Sequence, residues 1–422
     1  MRLKKMKRIS VLALVVALLM TSLAIIPAAP AAAAVRQNDY PIVMVHGLGG
    51  WDYVLGIPYW GFLYDVTKDL NSRGYRAIPA SVGPVSSNWD RACELYAQLK
   101  GGTVDYGVAH STKHGHARFG RTYASGSYPE WGTVDPATGK LKKIHLIGHS
   151  MGGPTVRAIT ALLMQGSAEE RAATPAADLS PLFNGEPKPW IDGCLTIATP
   201  HDGSTATYAL APGDNSLLKT VLLFLGSALG GLGIDVYDMH LEQWGLVKQP
   251  GESFAAFINR VENSNAWTST RDFADWDLKP EGAMEMNQWA TAQPNVYYFS
   301  SATLCTYKSP LTGHYLPRIE MSPMFWAFSG HIGAFTQSSP VPIDKSWWPN
   351  DGLVSLCTAA GPHLGSNDQI VNYNGVPQIG KWNYLGVVDT KVDHMQIVGI
   401  LSTRDCRPMM RGYAELLGSL PE

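Results

Sequence analysis

A serine flanked by small residues is the first candidate for chemistry. Gly148-His149-Ser150-Met151-Gly152 fits the pattern G-x-S-x-G and directly follows the apolar run at residues 144–147. In that pattern the serine sits on a strained turn from a strand into a helix, where only small neighbours leave room for it. The serine oxygen then stands clear of the sheet, and the helix N-terminus faces a developing oxyanion. The segment therefore predicts acyl transfer through Ser150.

A serine nucleophile needs a histidine base and a carboxylate, which follow it along the chain in this arrangement. The histidines beyond Ser150 are His201, His240, His314, His331, His363 and His394. His394 is favoured because it lies on a loop ahead of the last predicted helix, at residues 408–417. Asp351 is favoured as the carboxylate because a short apolar run follows it, and the alternatives are Asp344, Asp389 and Asp393. Asp393 is the weaker choice, since adjacent residues seldom let a carboxylate reach its neighbour's Nδ1.

A glycine-rich segment indicates how charge on the reacting oxygen could be stabilised. His46-Gly47-Leu48-Gly49-Gly50 follows the β-branched run at residues 42–45. In hydrolases with this kind of nucleophile turn, one donor comes from such a loop and another from the residue after the serine. We therefore expect the backbone N–H groups of Leu48 and Met151 to form the oxyanion hole. Taken alone, the loop would be read as an ordinary glycine-rich turn.

The elements that must position these residues alternate between strand and helix. Strand patterns occur at residues 42–45, 75–80, 144–147, 195–198 and 296–299, and helical patterns occur near 60–71 and 408–417. Such alternation predicts a mostly parallel sheet flanked by helices. Residues 101–139 and 205–293 are too long for ordinary connections, so we expect them to be insertions in a single domain of residues 35–422.

Composition narrows the partners and the compartment. Lys and Arg number 33 against 35 Asp and Glu, so the chain lacks the basic excess typical of nucleic-acid binding. Residues 1–34 combine a basic start, an apolar core and terminal alanines, which is typical of a cleaved secretory signal. We expect export and no permanent membrane span after cleavage, and the alternative is an uncleaved anchor. Cleavage removes five cations and no anions, which takes the net charge from −2 to −7.

Clustered histidines raise the possibility of a metal ion. His110, His114 and His116 lie within seven residues, and Asp90 precedes them. Imidazoles and carboxylates suit tetrahedral zinc, but the spacing matches neither a zinc finger nor H-E-x-x-H. The five cysteines are widely spaced without a C-x-x-C pair, so we expect buried thiols with one bridge at most. For the histidine cluster, the residues alone favour a solvated basic loop over a metal site.

Several long blocks resemble one known family. They read NWDRACE at 88–94, GTVDYG at 102–107, KHGHARFG at 113–120 and TIATPHDG at 196–203, with further matches at 243–246, 249–254 and 267–270. These blocks are similar to the secreted Bacillus-type thermophilic and staphylococcal lipases, the fifth subfamily of bacterial true lipases. The resemblance covers most of the chain beyond residue 34, and chance does not account for it.

The resemblance implies an α/β-hydrolase fold with Ser150, Asp351 and His394 as the catalytic triad. It also implies a structural zinc site held by Asp90, His110, His116 and Asp277, which would tie the second insertion to the histidine-rich loop. His114 has no ligand role in that pattern. The family's calcium positions carry Gln396 and Leu401 here. Because calcium prefers several anionic oxygens, we expect this second metal site to be lost or weak.

Together these features predict a secreted carboxylic ester hydrolase, a triacylglycerol lipase, that acts on water-insoluble esters at an interface. The resemblance implies a lid over the acyl pocket, and the apolar run at residues 215–234 lies in the corresponding insertion. A buried core helix is the alternative interpretation of that run. A short lid and an open cleft would instead suit polymeric esters, including polyesters. A non-catalytic interaction protein on the same scaffold would lack a triad member, and this sequence has a candidate for each.

Overall fold

A parallel sheet forms the centre of the protein. The computed structural model describes residues 36–209, 224–226, 229 and 234–421. Within that part of the chain, seven strands pair in parallel throughout. From one edge to the other they are Ile370–Asn372, Trp382–Asp389, Tyr297–Thr303, Ile191–Ile197, Ile144–His149, Ile42–Val45 and Ala77–Pro79. The predicted parallel sheet is confirmed, although its strands begin and end a few residues from the predicted limits.

Alternating side chains give the sheet two apolar faces. In the strand Ile42–Val45, the side chains of Ile42 and Met44 pack on one face, and those of Val43 and Val45 pack on the other. None of the four is more than 1% exposed. Parallel strands covered on both faces are continuous apolar runs, which is why these segments were recognisable in the sequence.

Helices cover both faces. Val66–Ser72 and Arg407–Gly418 join the core on the Ile42 face, whereas Asn88–Lys100 and Gly152–Gln165 join the core on the Val43 face. The other described α-helices are Val108–His114, Ala168–Ala173, Phe254–Glu262, Asn265–Ser269, Ala274–Asp277, Pro280–Asn287 and Trp326–Ile332. Short antiparallel pairs join Tyr53–Val54 to Ile57–Pro58, Gly102–Asp105 to Phe119–Tyr123, and Thr306–Lys308 to Tyr315–Pro317.

The first helix starts later than the sequence pattern suggested. The pattern covers residues 60–71, but the helix is Val66–Ser72, and the Asp65 side chain accepts a hydrogen bond from Lys68 N at its start. Gly61 and Phe62 have φ values of 93° and 47°. A right-handed helix cannot contain these conformations, so the chain makes a turn before the helix begins.

Both predicted insertions carry structure of their own. Residues 101–139 contain the pair Gly102–Asp105 and Phe119–Tyr123 and the helix Val108–His114, and residues 205–293 contain the helices from Phe254 to Asn287. The predicted lid at 215–234 lies largely outside the described residues, and the predicted signal at 1–34 lies wholly outside them. No helix in the described part of the chain is long and apolar enough to cross a bilayer. All five cysteines are among the described residues and are free thiols.

Candidate active site and four-residue cluster

Ser150 occupies a tight turn between the strand Ile144–His149 and the helix Gly152–Gln165. Its φ is 55°, a left-handed conformation that is uncommon for a residue with a side chain. A Cβ on Gly148 would lie 2.5 Å from Gly152 O, and a Cβ on Gly152 would lie 2.1 Å from Val45 O. The glycine spacing is therefore a steric requirement of the turn that carries Ser150 at the carboxyl end of the sheet.

Three residues from separate loops meet at that end of the sheet. His394 Nε2 lies 2.8 Å from Ser150 Oγ, and His394 Nδ1 lies 3.0 Å from Asp351 Oδ2. All three side chains are buried. Because Nδ1 faces a carboxylate, it carries the ring proton, and Nε2 is left to accept the proton of the Ser150 hydroxyl. The arrangement can therefore activate Ser150 as a nucleophile.

Asp351 is oriented by several donors. Its Oδ1 accepts hydrogen bonds from Leu353 N at 3.1 Å and Val354 N at 2.8 Å. Its Oδ2 accepts one from the hydroxyl of Thr303 at 2.9 Å. These donors fix the Asp351 carboxylate in the orientation that places Oδ2 beside the imidazole of His394.

The other aspartates considered for the triad are engaged elsewhere. Both carboxylate oxygens of Asp393 accept backbone N–H groups, two from its own loop and one from Ser322. Asp389 forms an ion pair with Arg404 at 2.9 Å. Asp344 is exposed and caps its own turn. The carboxylate that reaches the ring of His394 in the described structure is therefore that of Asp351.

The glycine-rich loop passes directly beside the nucleophile. A Cβ on Gly47 would lie 2.7 Å from Ser150 Cβ, so this close approach requires glycine. Leu48 packs against Met151. The N–H groups of Leu48 and Met151 donate to no acceptor among the described residues, which leaves both able to bind an oxyanion. This observation supports the oxyanion hole, which stays a prediction.

Two buried side chains that sequence reasoning missed hold this loop in place. Arg91 donates to His46 O and, at 2.8 Å in each case, to Gly83 O and Thr155 Oγ1. The hydroxyl of Tyr59 accepts from Gly47 N at 3.1 Å. Burial lowers the pKa of Arg91 to about 10, so the guanidinium stays charged at neutral pH. These contacts join distant parts of the chain, and no local sequence signal marks them.

An apolar cleft leads to the serine. Its empty volume, which includes space open to solvent, is about 790 Å³, and both Ser150 and His394 line it. The other lining side chains are mostly apolar and include Phe224, Leu278, Met324, Phe325 and Phe328. A largely apolar cleft with a few convergent polar groups suits a substrate with a hydrocarbon chain.

A second polar cluster shares no residue with the triad. Asp90, His110, His116 and Asp272, which we term the four-residue cluster, offer ligand atoms that all lie within 4.8 Å of one another. His110 Nε2 lies 3.2 Å from Asp90 Oδ1 and 3.1 Å from Asp272 Oδ1. His116 Nε2 lies 3.2 Å from Asp272 Oδ2. These distances let one small cation touch all four side chains.

The structure corrects one predicted ligand, because Asp272 joins the histidines and Asp277 does not. Asp277 Oδ2 accepts a hydrogen bond from Asn88 N at 2.6 Å, at the start of the helix that carries Asp90. The short helix Ala274–Asp277 begins between the two aspartates and separates their directions. Burial raises the pKa of Asp277 to about 7. Residue type alone could not distinguish two aspartates five positions apart.

The four-residue cluster fits a divalent cation. In the described structure, Asp90 Oδ1, His110 Nε2, His116 Nε2 and Asp272 Oδ2 are buried and lack a hydrogen-bond partner. Buried polar atoms without partners are costly, and two carboxylates with two imidazoles are ligands that zinc accepts. His116 Nδ1 donates to Ala117 O at 2.9 Å, and Trp89 stacks on His110 with ring centroids 5.0 Å apart. Such supporting contacts orient ligand rings.

The positions expected to have lost calcium carry neutral side chains. Gln396 Nε2 donates to Glu320 O at 3.0 Å, and Gln396 Oε1 accepts from Asp393 N at 3.2 Å. Both ends of the Gln396 amide are thus committed to the surrounding backbone. Leu401 supplies no polar side-chain atom, so a weak or missing calcium site stays the prediction.

Proteins of known family resemble this chain over most of its length. A family model described as "Lipase-like, C-terminal domain" matches residues 38–417. The chain is 36% identical over 372 residues to Lipase 1 of Staphylococcus aureus (strain MRSA252). The match covers 86% of this chain and 51% of that protein. The chain therefore spans about half the length of the curated relatives it matches.

Solved structures with similar sequences superpose over most of the chain. EstA from Clostridium botulinum is 45% identical with a TM-score of 0.84, and the match covers 92% of this chain and 89% of that one. Lipase 1 from Pelosinus fermentans is 49% identical with a TM-score of 0.81, and the match covers 91% and 100%. Staphylococcus hyicus lipase is 30% identical with a TM-score of 0.73, and the match covers 93% and 98%.

Proposed function

The chain belongs to the lipase-like family, and we propose that it hydrolyses carboxylic esters through an acyl-enzyme on Ser150. The resemblance to staphylococcal lipases and the α/β-hydrolase fold predicted from the sequence are confirmed. One observation carries the proposal. Ser150, His394 and Asp351 are joined by contacts of 2.8 Å and 3.0 Å in the cleft that hydrocarbon side chains line.

In the proposed reaction, His394 Nε2 takes the proton of Ser150 as Oγ attacks the ester carbonyl carbon. The carbonyl oxygen becomes an oxyanion that the N–H groups of Leu48 and Met151 stabilise, while Asp351 stabilises the imidazolium. The C–O bond to the alcohol then breaks, and the imidazolium protonates the departing oxygen. Water, deprotonated by the same imidazole, attacks the acyl-enzyme and releases the acid.

Replacing the nucleophile tests this mechanism. Ser150→Ala is expected to abolish p-nitrophenyl ester hydrolysis and labelling by a serine-directed phosphonate. Ser309→Ala is the matched control, because Ser309 is also buried but lies away from the triad, directly after the strand Thr306–Lys308. Ester hydrolysis by Ser150→Ala at the rate of Ser309→Ala would refute the acyl-enzyme proposal, and failure of the phosphonate to label the wild type would favour a non-catalytic protein.

We propose lipid esters as the substrates, with triacylglycerols as the leading class. The support is the apolar lining of the cleft beside Ser150. Rates should rise along a series of p-nitrophenyl esters from acetyl to longer acyl chains, and triglyceride emulsions should be hydrolysed. A polyester film in the same series tests the alternative, because faster release of soluble product from film than from emulsion would reassign the enzyme to polymeric esters.

We also propose that the four-residue cluster binds one structural zinc ion. The ligands would be Asp90, His110, His116 and Asp272, and the zinc would supply the positive charge that these four converging groups lack. Freshly purified protein should contain one mole of zinc per mole of chain. Elemental analysis that finds no bound divalent metal would refute this proposal.

Export is a further part of the proposed function. Its support is the basic start, apolar core and terminal alanines of residues 1–34. Expression in a bacterial host that secretes proteins should yield active enzyme in the medium, with an N-terminus near Val35 by sequencing. Membrane-bound protein that retains residues 1–34 would support an uncleaved anchor.

A further inference from the structure

A line of three hydrogen bonds runs between the glycine-rich loop and the catalytic histidine. The Tyr59 hydroxyl accepts from Gly47 N at 3.1 Å and lies 2.7 Å from His149 Nδ1. His149 Nε2 lies 2.9 Å from the backbone oxygen of His394. Neither Tyr59 nor His149 is exposed, so both side chains are shielded from water.

The position of each proton in this line follows from the partners. A carbonyl oxygen only accepts, so His149 Nε2 must carry the hydrogen that it donates to His394 O. Burial lowers the pKa of His149 far below its ordinary value, which keeps the ring neutral. Its Nδ1 therefore carries no proton and accepts from the Tyr59 hydroxyl. The Tyr59 oxygen in turn accepts from Gly47 N, so all three bonds have one direction.

This line joins three segments that are far apart in the sequence. Gly47 precedes Leu48 in the glycine-rich loop at residues 46–50. We call this the donor loop, because Leu48 N is the expected oxyanion donor. His149 directly precedes Ser150, and its ring centroid lies 4.9 Å from that of His394. The bonds therefore tie the donor loop and the backbone of the general base to the residue before the nucleophile.

We propose that Tyr59 and His149 are positioning residues that fix the donor loop and His394 relative to Ser150. The inference rests on the proposed esterase function, and it separates binding of the tetrahedral intermediate from binding of the unreacted substrate. Tyr59 contacts the loop that meets the oxyanion, so its loss should weaken binding of the tetrahedral intermediate. Tyr59 also lines the cleft, but loss of its hydroxyl leaves the ring in place, so binding of the unreacted substrate to the apolar lining should change little.

Removing one hydroxyl tests the role of Tyr59. Tyr59→Phe is expected to lower kcat on the order of 10-fold to 100-fold, the range for small misplacement of catalytic groups. The inhibition constant of an arylboronic acid, which mimics the tetrahedral intermediate, should rise by the same factor. KM and the inhibition constant of a product fatty acid should stay unchanged. Rates are expressed per phosphonate-labelled site, so misfolded protein is not counted.

Tyr413→Phe is the matched control. Tyr413 is also buried, and its hydroxyl donates to Ser301 Oγ at 2.9 Å rather than to the donor loop or His394. Both variants should lose similar stability, whereas only Tyr59→Phe should lose kcat and boronate affinity. Equal kinetic behaviour of the two variants would overturn the inference while leaving the esterase function intact. A wild type without esterase activity would instead refute the proposed function.

His149→Gln tests whether the line acts as one unit. The Gln amide can keep the bond to His394 O, but it does not supply the acceptor that Tyr59 uses at Nδ1. If both residues act through one line, adding Tyr59→Phe to His149→Gln should cost little further kcat. Independent, multiplicative losses in the double variant would show that the two residues do not position the site together, and would overturn that part of the proposal.

Discussion

The triad and the four-residue cluster both place aspartate beside histidine inside the protein, but they differ in whether their polar atoms have hydrogen-bond partners. Each polar atom that joins Ser150, His394 and Asp351 has a protein partner. In the cluster, each of the four side chains contributes an atom without one. A satisfied network is stable in the protein alone, whereas converging lone pairs need a cation. This contrast supports the proposals that the triad transfers protons and that the cluster binds a cation.

One helix connects these two regions. Asn88–Lys100 carries Asp90, which belongs to the cluster, and Arg91, which holds His46 O in the donor loop. Adjacent residues on a rigid helix cannot move independently. The cluster can therefore stabilise the surroundings of the active site without touching substrate. We therefore expect substitutions in the triad to lower kcat, and substitutions in the cluster to lower the free energy of unfolding.

The largest expected effect is on the rate and comes from Asp351→Asn. The amide keeps an oxygen acceptor for Leu353 N and Val354 N, but it removes the charge that stabilises the imidazolium. We expect kcat to fall about 10⁴-fold, as for loss of the carboxylate in other triads. The free energy of unfolding, from urea titration, should change little because the backbone contacts remain.

Asp344→Asn serves as the control for that prediction. Asp344 is exposed, caps its own turn and was a rejected alternative for the triad carboxylate. Its amide variant should keep wild-type kcat. A large loss of kcat in Asp344→Asn, or wild-type kcat in Asp351→Asn, would mean that the triad assignment is wrong.

The second prediction makes the same carboxylate-to-amide change in the cluster. Asp272→Asn removes the group that faces both His110 and His116, and we expect a loss of about 3–5 kcal/mol in the free energy of unfolding. Bound zinc should fall below one per chain, and kcat at temperatures where the variant is folded should stay near wild type. A loss of kcat comparable to that of Asp351→Asn, with zinc retained, would contradict a structural role.

Asp277→Asn decides which aspartate completes the cluster. The two residues lie five positions apart, Asp272 buried and Asp277 half-buried, and each receives the same carboxylate-to-amide change. Asp277→Asn should retain one zinc per chain, because Asp277 bonds Asn88 N and does not face the histidines. Loss of zinc from Asp277→Asn but not from Asp272→Asn would restore the ligand set expected from the sequence.

The contrast between these two aspartates shows what sequence can and cannot predict. Ser150 was identifiable because its turn imposes glycines within two residues on each side. The parallel strands were identifiable because burial on both faces leaves continuous apolar runs. Asp272 was missed because the direction of a side chain depends on where a four-residue helix begins. Arg91 and Tyr59 were missed because each acts on a segment far away in the sequence.

The third prediction concerns the connection between the regions. Arg91→Lys keeps the charge but cannot reach His46 O, Gly83 O and Thr155 together. Leaving buried carbonyl groups unpaired should cost about 2 kcal/mol of stability. The freed donor loop should also lower kcat on the order of 10-fold. Zinc content should stay at one per chain, which would separate the loop from the cluster.

Arg157→Lys is the control for that change. Arg157 is also buried, and it donates to Asn287 and to Ala290 O rather than to the donor loop. Its variant should lose stability with kcat unchanged. Unchanged kcat in Arg91→Lys would show that the loop keeps its position without the guanidinium, and that the two regions are independent in function as well as in chemistry.

The smallest expected effect comes from the same carboxylate-to-amide change outside both regions. Asp69 bonds Arg411 and so links the helices Val66–Ser72 and Arg407–Gly418. Hydrogen bonds from Arg411 hold the pKa of Asp69 below its ordinary value. The pair therefore stabilises the fold above the pKa of unfolded Asp and loses that contribution as pH falls through the lowered pKa.

We expect Asp69→Asn to cost at most about 1 kcal/mol of the free energy of unfolding at neutral pH. In urea titrations its difference from wild type should stay constant from neutral pH to about pH 5, narrow below about pH 4 and shrink with added salt. Unchanged kcat and zinc content in Asp69→Asn would show that the effects of Asp351→Asn and Asp272→Asn depend on where those residues lie and not on the carboxylate-to-amide change itself. A loss of unfolding free energy as large as that of Asp272→Asn would show that the cluster contributes no more to stability than a surface ion pair.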